Sequence, residues 1–113
     1  MPFIELNTNC TIENEVALEI KKYLGKAIET LPGKSEDWLM INIKDDQNIY
    51  FKGSNDKACM IKVLVYGKPS DESLAKLTSK ISDFIETKLK INKNRIYIYY
   101  NFTTNWGWNG DNF

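Results

Sequence analysis

The sequence predicts an α+β (α/β) fold in which two helices pack on a four-stranded sheet. The order strand–helix–strand occurs twice along the chain, with one small strand between the halves, which indicates an internal pseudo-two-fold repeat. The 113 residues contain no linker or low-complexity tract and match one domain of about 100–150 residues. Because 42% of the residues are hydrophobic, the chain can bury a core, and we expect a single domain over residues 1–113.

The first half begins with a short strand and a long helix. Phe3–Leu6 is an apolar-rich stretch that predicts the strand. Between Glu13 and Leu31, apolar residues recur every three or four positions, as in a helix with one buried face. Pro32-Gly33 ends this helix, since proline cannot continue one and glycine suits its C-terminus.

Two extended segments complete the first half. Trp38–Ile43 is predicted to form a strand, and Ile49–Phe51 a short one. The polar run Asp45–Asn48 between them predicts a turn.

The second half repeats the order of the first. Ala58–Tyr66 is almost entirely apolar and interrupted only by Lys62, which is typical of a buried central strand. Ser70 is a candidate N-cap for a helix whose apolar stripe spans Leu74–Leu89. Arg95–Phe102 predicts an aromatic strand, and short extended structure is expected in the remaining tail.

The central strand has a consequence for assembly. Its apolar side chains point to both faces of the sheet, and such a strand requires cover on both sides. Two helices cover one face, and a chain of 113 residues has no element left for the other. We therefore expect an oligomer.

Composition excludes several classes of partner. The 15 basic and 15 acidic residues balance, which argues against nucleic acid or an anionic membrane as the main partner. No apolar run approaches the ~18 residues of a membrane span. The start Met1–Glu5 has no basic n-region, so we expect no signal peptide and a cytoplasmic protein.

The chain contains no histidine, which removes Ser-His-Asp and Cys-His catalysis together with histidine general bases. Its two cysteines are too few for a disulfide scaffold or a four-thiolate metal site. We expect no metal, and an enzyme of this composition needs a less common base.

Several short motifs occur together in a specific order. They are Met1–Asn9, Pro32-Gly33-Lys34, Phe51-Lys52-Gly53-Ser54, Arg95–Ile98 and Asn105–Asn109, followed by Phe113. In this order and spacing the chain resembles, over essentially its whole length, the macrophage migration inhibitory factor family of the tautomerase superfamily, which includes D-dopachrome tautomerase. The resemblance implies a β-α-β-β-α-β protomer with a mixed sheet, and a homotrimer whose sheets face an inner channel.

Pro2 is the candidate catalytic residue. Initiator methionine before a small residue is normally removed, which would leave the secondary amine of Pro2 free. An α-amino group has a pKa of about 7.7–8, and burial or a neighbouring cation lowers it further. Such an amine is a base near neutral pH. A Met-Pro start alone seldom marks a site, so the assignment depends on the resemblance.

Lys34 and Tyr66 are candidate binding residues. Without the resemblance, Lys34 is a solvated cation near a helix C-terminus. With it, Lys34 pairs with a substrate carboxylate and keeps the pKa of the proline amine low. Tyr66 replaces an aliphatic residue whose backbone lines the family's pocket, so its phenol is expected to narrow the entrance.

The aromatic cluster near the C-terminus would ordinarily fill core and interfaces. The resemblance places Tyr97 and either Trp106 or Trp108 on the pocket wall, partly from the adjacent subunit, where they stack on an aromatic substrate. Where many members carry an asparagine that bonds the substrate, this chain has either Tyr99 or a one-residue gap, so substrate preference is expected to differ.

The cysteines exclude a further activity of some family members. Thiol oxidoreductase chemistry in the family uses Cys-x-x-Cys, and Cys59 has no such partner because Cys10 is remote in sequence. We expect Cys59 to be a small buried hydrophobic residue.

Two functions follow from the resemblance. One is a cofactor-free keto–enol tautomerase for phenylpyruvate-like or dopachrome-like substrates, with a small aromatic keto acid as its partner. The alternative is a cytokine-like protein that binds a cell-surface receptor, with a pocket that is vestigial or a docking element, and with secretion by a signal-less route. The two functions can coexist in one chain. A purely structural trimer is the third interpretation.

Overall fold

The computed structural model describes residues 1–113 and has two helices on one face of a four-stranded mixed sheet. The elements are β1 (Pro2–Thr8), α1 (Asn14–Ala27), β2 (Met40–Lys44), β3 (Cys59–Tyr66), α2 (Asp71–Leu89), β4 (Ile96–Thr103), β5 (Gly107–Trp108) and β6 (Asp111–Asn112). The predicted fold class and β-α-β-β-α-β order are therefore confirmed.

The sheet has the order β2-β1-β3-β4 and is built from two equivalent halves. Strands β1 and β2 are parallel neighbours joined through α1, and β3 and β4 are parallel neighbours joined through α2. The halves meet where β1 runs antiparallel to β3. The predicted repeat is thus a pair of β-α-β units with a pseudo-two-fold axis between them.

The helices cover the sheet with the apolar stripes that the sequence predicts. Fully buried side chains of α1 and α2 pack against those of β1 and β3 in one cluster: Ile20 and Leu24, Leu77, Ile81 and Ile85, Ile4 and Leu6, and Ile61, Val63 and Val65. The predicted cap of α2 is also present, because the Ser70 hydroxyl accepts a hydrogen bond from the Ser73 N–H at 3.1 Å. Neither helix is long and apolar enough to cross a membrane.

Two predicted element boundaries and one predicted strand differ from the structure. Helix α1 ends at Ala27 and is followed by a 3-10 turn, Ile28–Thr30, instead of continuing to Leu31. Trp38 ends a second 3-10 turn, and β2 begins only at Met40. The predicted strand Ile49–Phe51 does not form.

Arg95 explains the missing strand. Its guanidinium donates hydrogen bonds to the carbonyl oxygens of Phe51 at 3.1 Å and Ser54 at 3.2 Å. Phe51 and Ser54 also bond each other across a tight turn, in which Lys52 adopts a positive φ of 53°. The backbone at the end of this segment is therefore used by the turn, and only the bridge between Phe51 and Ser54 remains.

The sheet face opposite the helices is more polar than expected. Strand β3 places Met60, Leu64 and Tyr66 half-buried on this face, but Lys62 is exposed between them. Lys62 lies opposite Glu5 of β1, which pairs with Lys44 of β2 at 3.7 Å. The expectation of a strand that is apolar on both faces is therefore only partly correct. No element of the chain covers this face.

Candidate active site

The chain begins beside the end of β3. Pro2 is buried as the first residue of β1 and lies opposite Val65 in the antiparallel register. The carbonyl oxygen of Met1 accepts a hydrogen bond from the N–H of Tyr66, with 3.1 Å between nitrogen and oxygen. The backbone before Pro2 is therefore fixed against the last residue of β3.

Lys34 reaches the same place from the loop after α1. Gly33 adopts a φ of 79°, a conformation that glycine permits, and the loop turns back through a 3.1 Å bond from the Lys34 N–H to the Leu31 carbonyl. The Lys34 Nζ then donates to the carbonyl oxygen of Tyr66 at 2.9 Å. Lys34 is half-buried and contacts a strand end, which differs from a solvated cation at a helix terminus.

The amine at the chain terminus has a lowered pKa. Burial is the main cause, because a charged ammonium is poorly solvated there. The positive charge of Lys34 and a hydrogen bond with its side chain lower the pKa further. The start of the chain is thus an environment that favours a neutral amine.

A row of four aromatic rings extends away from Tyr66. Its ring meets that of Phe113 edge-on, with 5.6 Å between centroids, and Phe113 lies 6.4 Å from Trp108. Trp108 in turn meets Trp38 edge-on at 5.0 Å. The β5–β6 hairpin produces this row, because a 3.0 Å bond from the Phe113 N–H to the Trp106 carbonyl folds the tail back.

The sequence does not predict that Trp38 and Phe113 belong to this row of aromatic rings. The sequence pattern predicts a strand at Trp38, although the acidic pair Glu36-Asp37 before it is typical of the first turn of a helix. The turn is anchored on α1, since Glu36 packs against the bare backbone of Gly25 and pairs with Lys21 at 3.5 Å. A Cβ at Gly25 would lie 2.9 Å from the Cγ of Glu36.

Tyr97 and Tyr99 lie elsewhere in the protomer. Pro2 is level with Val65 and hence with Phe102 of β4, whereas Tyr97 pairs with Met60. Five residues of strand separate these levels, which is about 16 Å. Both tyrosine rings are exposed, and that of Tyr97 packs edge-on to Phe51 at 4.9 Å.

The structure also distinguishes Trp106 from Trp108, between which the sequence alone does not decide. Trp108 is part of the aromatic row beside Tyr66, whereas Trp106 contributes its backbone carbonyl to the hairpin and is half-buried. Within one chain, the structure therefore brings together Pro2, Lys34 and Tyr66. It does not bring Tyr97 or Tyr99 to them.

The cysteines offer no nucleophile. Cys59 is buried at the start of β3, and burial raises the pKa of its thiol to about 12, with a smaller contribution from nearby Cys10. A thiol with this pKa stays protonated at neutral pH. The reactive group that the site offers is an amine of lowered pKa beside a cation.

Comparison with known proteins gives one consistent family. A family model described as macrophage migration inhibitory factor (MIF) matches residues 1–113. The chain is 31% identical to macrophage migration inhibitory factor of Xenopus laevis, over 100% of this chain and 99% of that protein. It is 28% identical to the homologue from Trichinella spiralis, over 100% of both chains.

Solved structures agree with the sequence relatives. The crystal structure of Leishmania major MIF2 matches with a TM-score of 0.93 and 28% identity, over 100% of this chain and 97% of that one. The Trichinella spiralis factor matches with a TM-score of 0.82 and 26% identity, over 98% of this chain and 99% of that one. The similarity therefore includes both halves of the fold and the tail hairpin.

Proposed function

The chain belongs to the macrophage migration inhibitory factor family, and we propose that it is a cofactor-free keto–enol tautomerase whose base is the amine of Pro2. Family membership supports a tautomerase or cytokine-like function in general. The observation that carries the specific proposal is the meeting of the chain terminus, Lys34 and Tyr66 where β1 begins and β3 ends.

Removal of Met1 would create the base and a donor in one step. It would convert the Pro2 nitrogen from an amide, which cannot accept a proton, into a secondary amine. It would also remove the Met1 carbonyl, which accepts the hydrogen bond from the Tyr66 N–H. That N–H would then lack a protein partner and be available to a substrate oxygen.

The surroundings favour a neutral amine at Pro2. The Met1 amine has its pKa lowered by burial and by Lys34, and Pro2 is buried one residue further into the sheet. We expect the same causes to hold the pKa of the Pro2 amine below the usual value of about 7.7–8. The unprotonated base would then predominate near neutral pH.

The reaction is a transfer of one proton between carbon and oxygen. The Pro2 nitrogen takes a proton from the carbon next to the carbonyl of a keto acid, and the electron pair moves to the carbonyl oxygen to give an enolate. The Tyr66 N–H donates to this oxygen as its charge develops. The Pro2 ammonium then returns the proton to the oxygen, which gives the enol and the free amine.

Lys34 would bind the substrate carboxylate. Its Nζ is bonded to a carbonyl oxygen and is within 4.0 Å of no carboxylate of the chain, so its charge is available to a bound acid. The aromatic row beside it provides faces and edges for an aromatic ring. Phenylpyruvate-like and dopachrome-like compounds combine these features.

Tyr97 and Tyr99 enter this proposal only through a second copy of the chain. We propose a homotrimer in which each site receives the two tyrosines from a neighbour, since both are exposed and about 10–16 Å along the sheet from their own Pro2 level. The same assembly would cover the uncovered sheet face. Analytical ultracentrifugation tests it, and a monomer with full activity would contradict it.

The direct test of activity is an assay of phenylpyruvate enolisation. The protein is first shown by mass spectrometry to begin at Pro2, and its rate is compared with that of buffer at the same pH. A rate well above buffer supports the proposal. A rate equal to buffer, in folded protein with a free Pro2 amine, would overturn it.

A second candidate function is a cytokine-like ligand of a cell-surface receptor, which the name shared by the relatives favours. To separate the receptor function from the tautomerase function, binding to macrophages is measured for folded wild-type protein and for folded Pro2→Gly protein. Equal binding by both proteins supports a receptor function independent of the base, and no saturable binding by either would exclude it.

A further inference from the structure

A cleft beside Lys34 has a second lysine that the proposed reaction does not use. The cleft has a volume of about 330 Å³ and is lined by Pro32, Lys34, Tyr66, Lys68, Pro69 and Ser70. We propose that Lys68 binds a second acidic group of the substrate, so that the site accepts short 2-oxo dicarboxylates as well as aromatic mono-acids. This inference rests on the proposed function, because Lys34 and Pro2 are taken to bind and deprotonate the same molecule.

The backbone of the two loops that carry the lysines is restrained. Pro32 and Pro69 line the cleft in the two loops that carry Lys34 and Lys68, and each proline ring fixes its own φ. Gly67 turns the chain at a φ of 81°, and its N–H donates to the Thr103 carbonyl at 2.8 Å. The segment that carries Lys68 is therefore fixed to the end of β4.

The acidic groups near the cleft do not fully neutralise its two lysines, so positive charge remains for a ligand. Lys34 has no acidic partner, and its side chain contacts only the Tyr66 carbonyl and the chain-terminal amine. Lys68 has one acidic partner, Asp71, at 3.7 Å, and the two side chains are 65% and 94% exposed. An ion pair this exposed is weak, so a substrate carboxylate can replace Asp71 at Lys68.

The size of the cleft and the acidic residues beside it determine which anion it binds. Because both lysines line one cleft of about 330 Å³, a short diacid such as a four-carbon one is the kind of ligand whose two carboxylates fit it together. Asp71 and Glu72 in the first turn of α2 place negative charge nearby. That charge opposes a dianionic phosphate more strongly than a single carboxylate.

The test compares two keto acids in one assay, the exchange of C3 hydrogen for deuterium followed by NMR. Oxaloacetate carries the second carboxylate and phenylpyruvate does not. The variants are Lys68→Gln, Asp71→Asn and the control Lys76→Gln, which removes a lysine of α2 that pairs with Glu72 at 3.3 Å outside the cleft. The measured quantity is kcat/KM for oxaloacetate divided by kcat/KM for phenylpyruvate.

We expect Lys68→Gln to lower this ratio about fivefold, the effect of one partly exposed ion pair, and Asp71→Asn to raise it. Lys76→Gln should leave the ratio unchanged. An unchanged ratio in Lys68→Gln, an equal fall in the control, or no exchange of oxaloacetate by wild-type protein that exchanges phenylpyruvate would overturn the second subsite alone. Failure of wild-type protein to exchange phenylpyruvate would instead overturn the proposed function.

Discussion

The side-chain nitrogen of Lys34 donates a 2.9 Å hydrogen bond to the backbone carbonyl of Tyr66, which joins the loop after α1 to the end of β3. The N–H of the same tyrosine bonds the carbonyl of Met1. Tyr66 therefore connects the cation and the chain terminus through its backbone, so the tyrosine side chain in place of an aliphatic one does not disrupt this connection.

Lys34→Ala should weaken the binding of carboxylate substrates. We expect KM for phenylpyruvate to rise about tenfold, with a smaller change for its methyl ester, because the variant removes a charge pair and not the base. Steady-state kinetics on both substrates measure this. Lys26→Ala, at an exposed pair with Glu29, is the matched control. An equal rise in KM for acid and ester would contradict the assigned role.

The dependence of activity on pH should report the amine. Only the neutral amine accepts a proton, so kcat/KM should rise with pH and level off above the pKa of Pro2. Burial and Lys34 lower the pKa of the Met1 amine, and if they act in the same way on the neighbouring Pro2 amine the midpoint lies below about 7.7–8. In Lys34→Ala the midpoint should move upward. A profile that falls as pH rises through this range would contradict an amine base.

Arg95 should stabilise the turn that presents Phe51 to Tyr97. Its guanidinium bonds four backbone carbonyls between residues 51 and 57 and lies 5.2 Å from the centre of the Phe51 ring. We expect Arg95→Ala to cost about 2 kcal/mol of unfolding free energy, measured by urea denaturation. Arg95→Lys should restore little, since lysine lacks the planar fork. Full restoration by lysine would show that charge alone matters.

Cys59 should be inert to thiol reagents in the native state. Its pKa of about 12 leaves almost no thiolate at neutral pH, and the side chain is buried. Ellman's reagent should react with Cys59 only as fast as the protein unfolds, and Cys10→Ser protein isolates its signal. Because the folded pKa is raised, Cys59 should also reduce stability as pH rises from about 9 towards 12. Rapid native reaction of Cys59 would contradict its burial.

Sequence patterns predict those elements that are specified by residues close together in the sequence. The stripe from Leu74 to Leu89 and the Ser70 cap specify α2 within a single stretch of sequence. The strand assigned to Ile49–Phe51 is wrong because its backbone partner, Arg95, lies 44 residues from Phe51 in sequence. Three apolar residues carry no information about such a contact.

The candidate site was predictable only in part. Pro2 and Lys34 come from an N-terminal motif and a Gly-Lys pair that have no distinguishing periodicity, and only the resemblance selected them. The role of Trp38 depends on packing against Trp108, 70 residues away. The position of Tyr97 follows from strand register, which places it far from Pro2 in its own chain.

The central claim is that the free amine of Pro2 accepts the proton. The most direct measurement compares protein shown by mass spectrometry to begin at Pro2 with protein that keeps Met1 behind a short Gly-Ser extension. The extension makes the Pro2 nitrogen an amide and moves the terminal amine away from Lys34. We expect phenylpyruvate tautomerase activity to fall at least about 100-fold, with an unchanged melting temperature, because the extension adds residues only at the chain end. Full activity in the extended protein would contradict the mechanism.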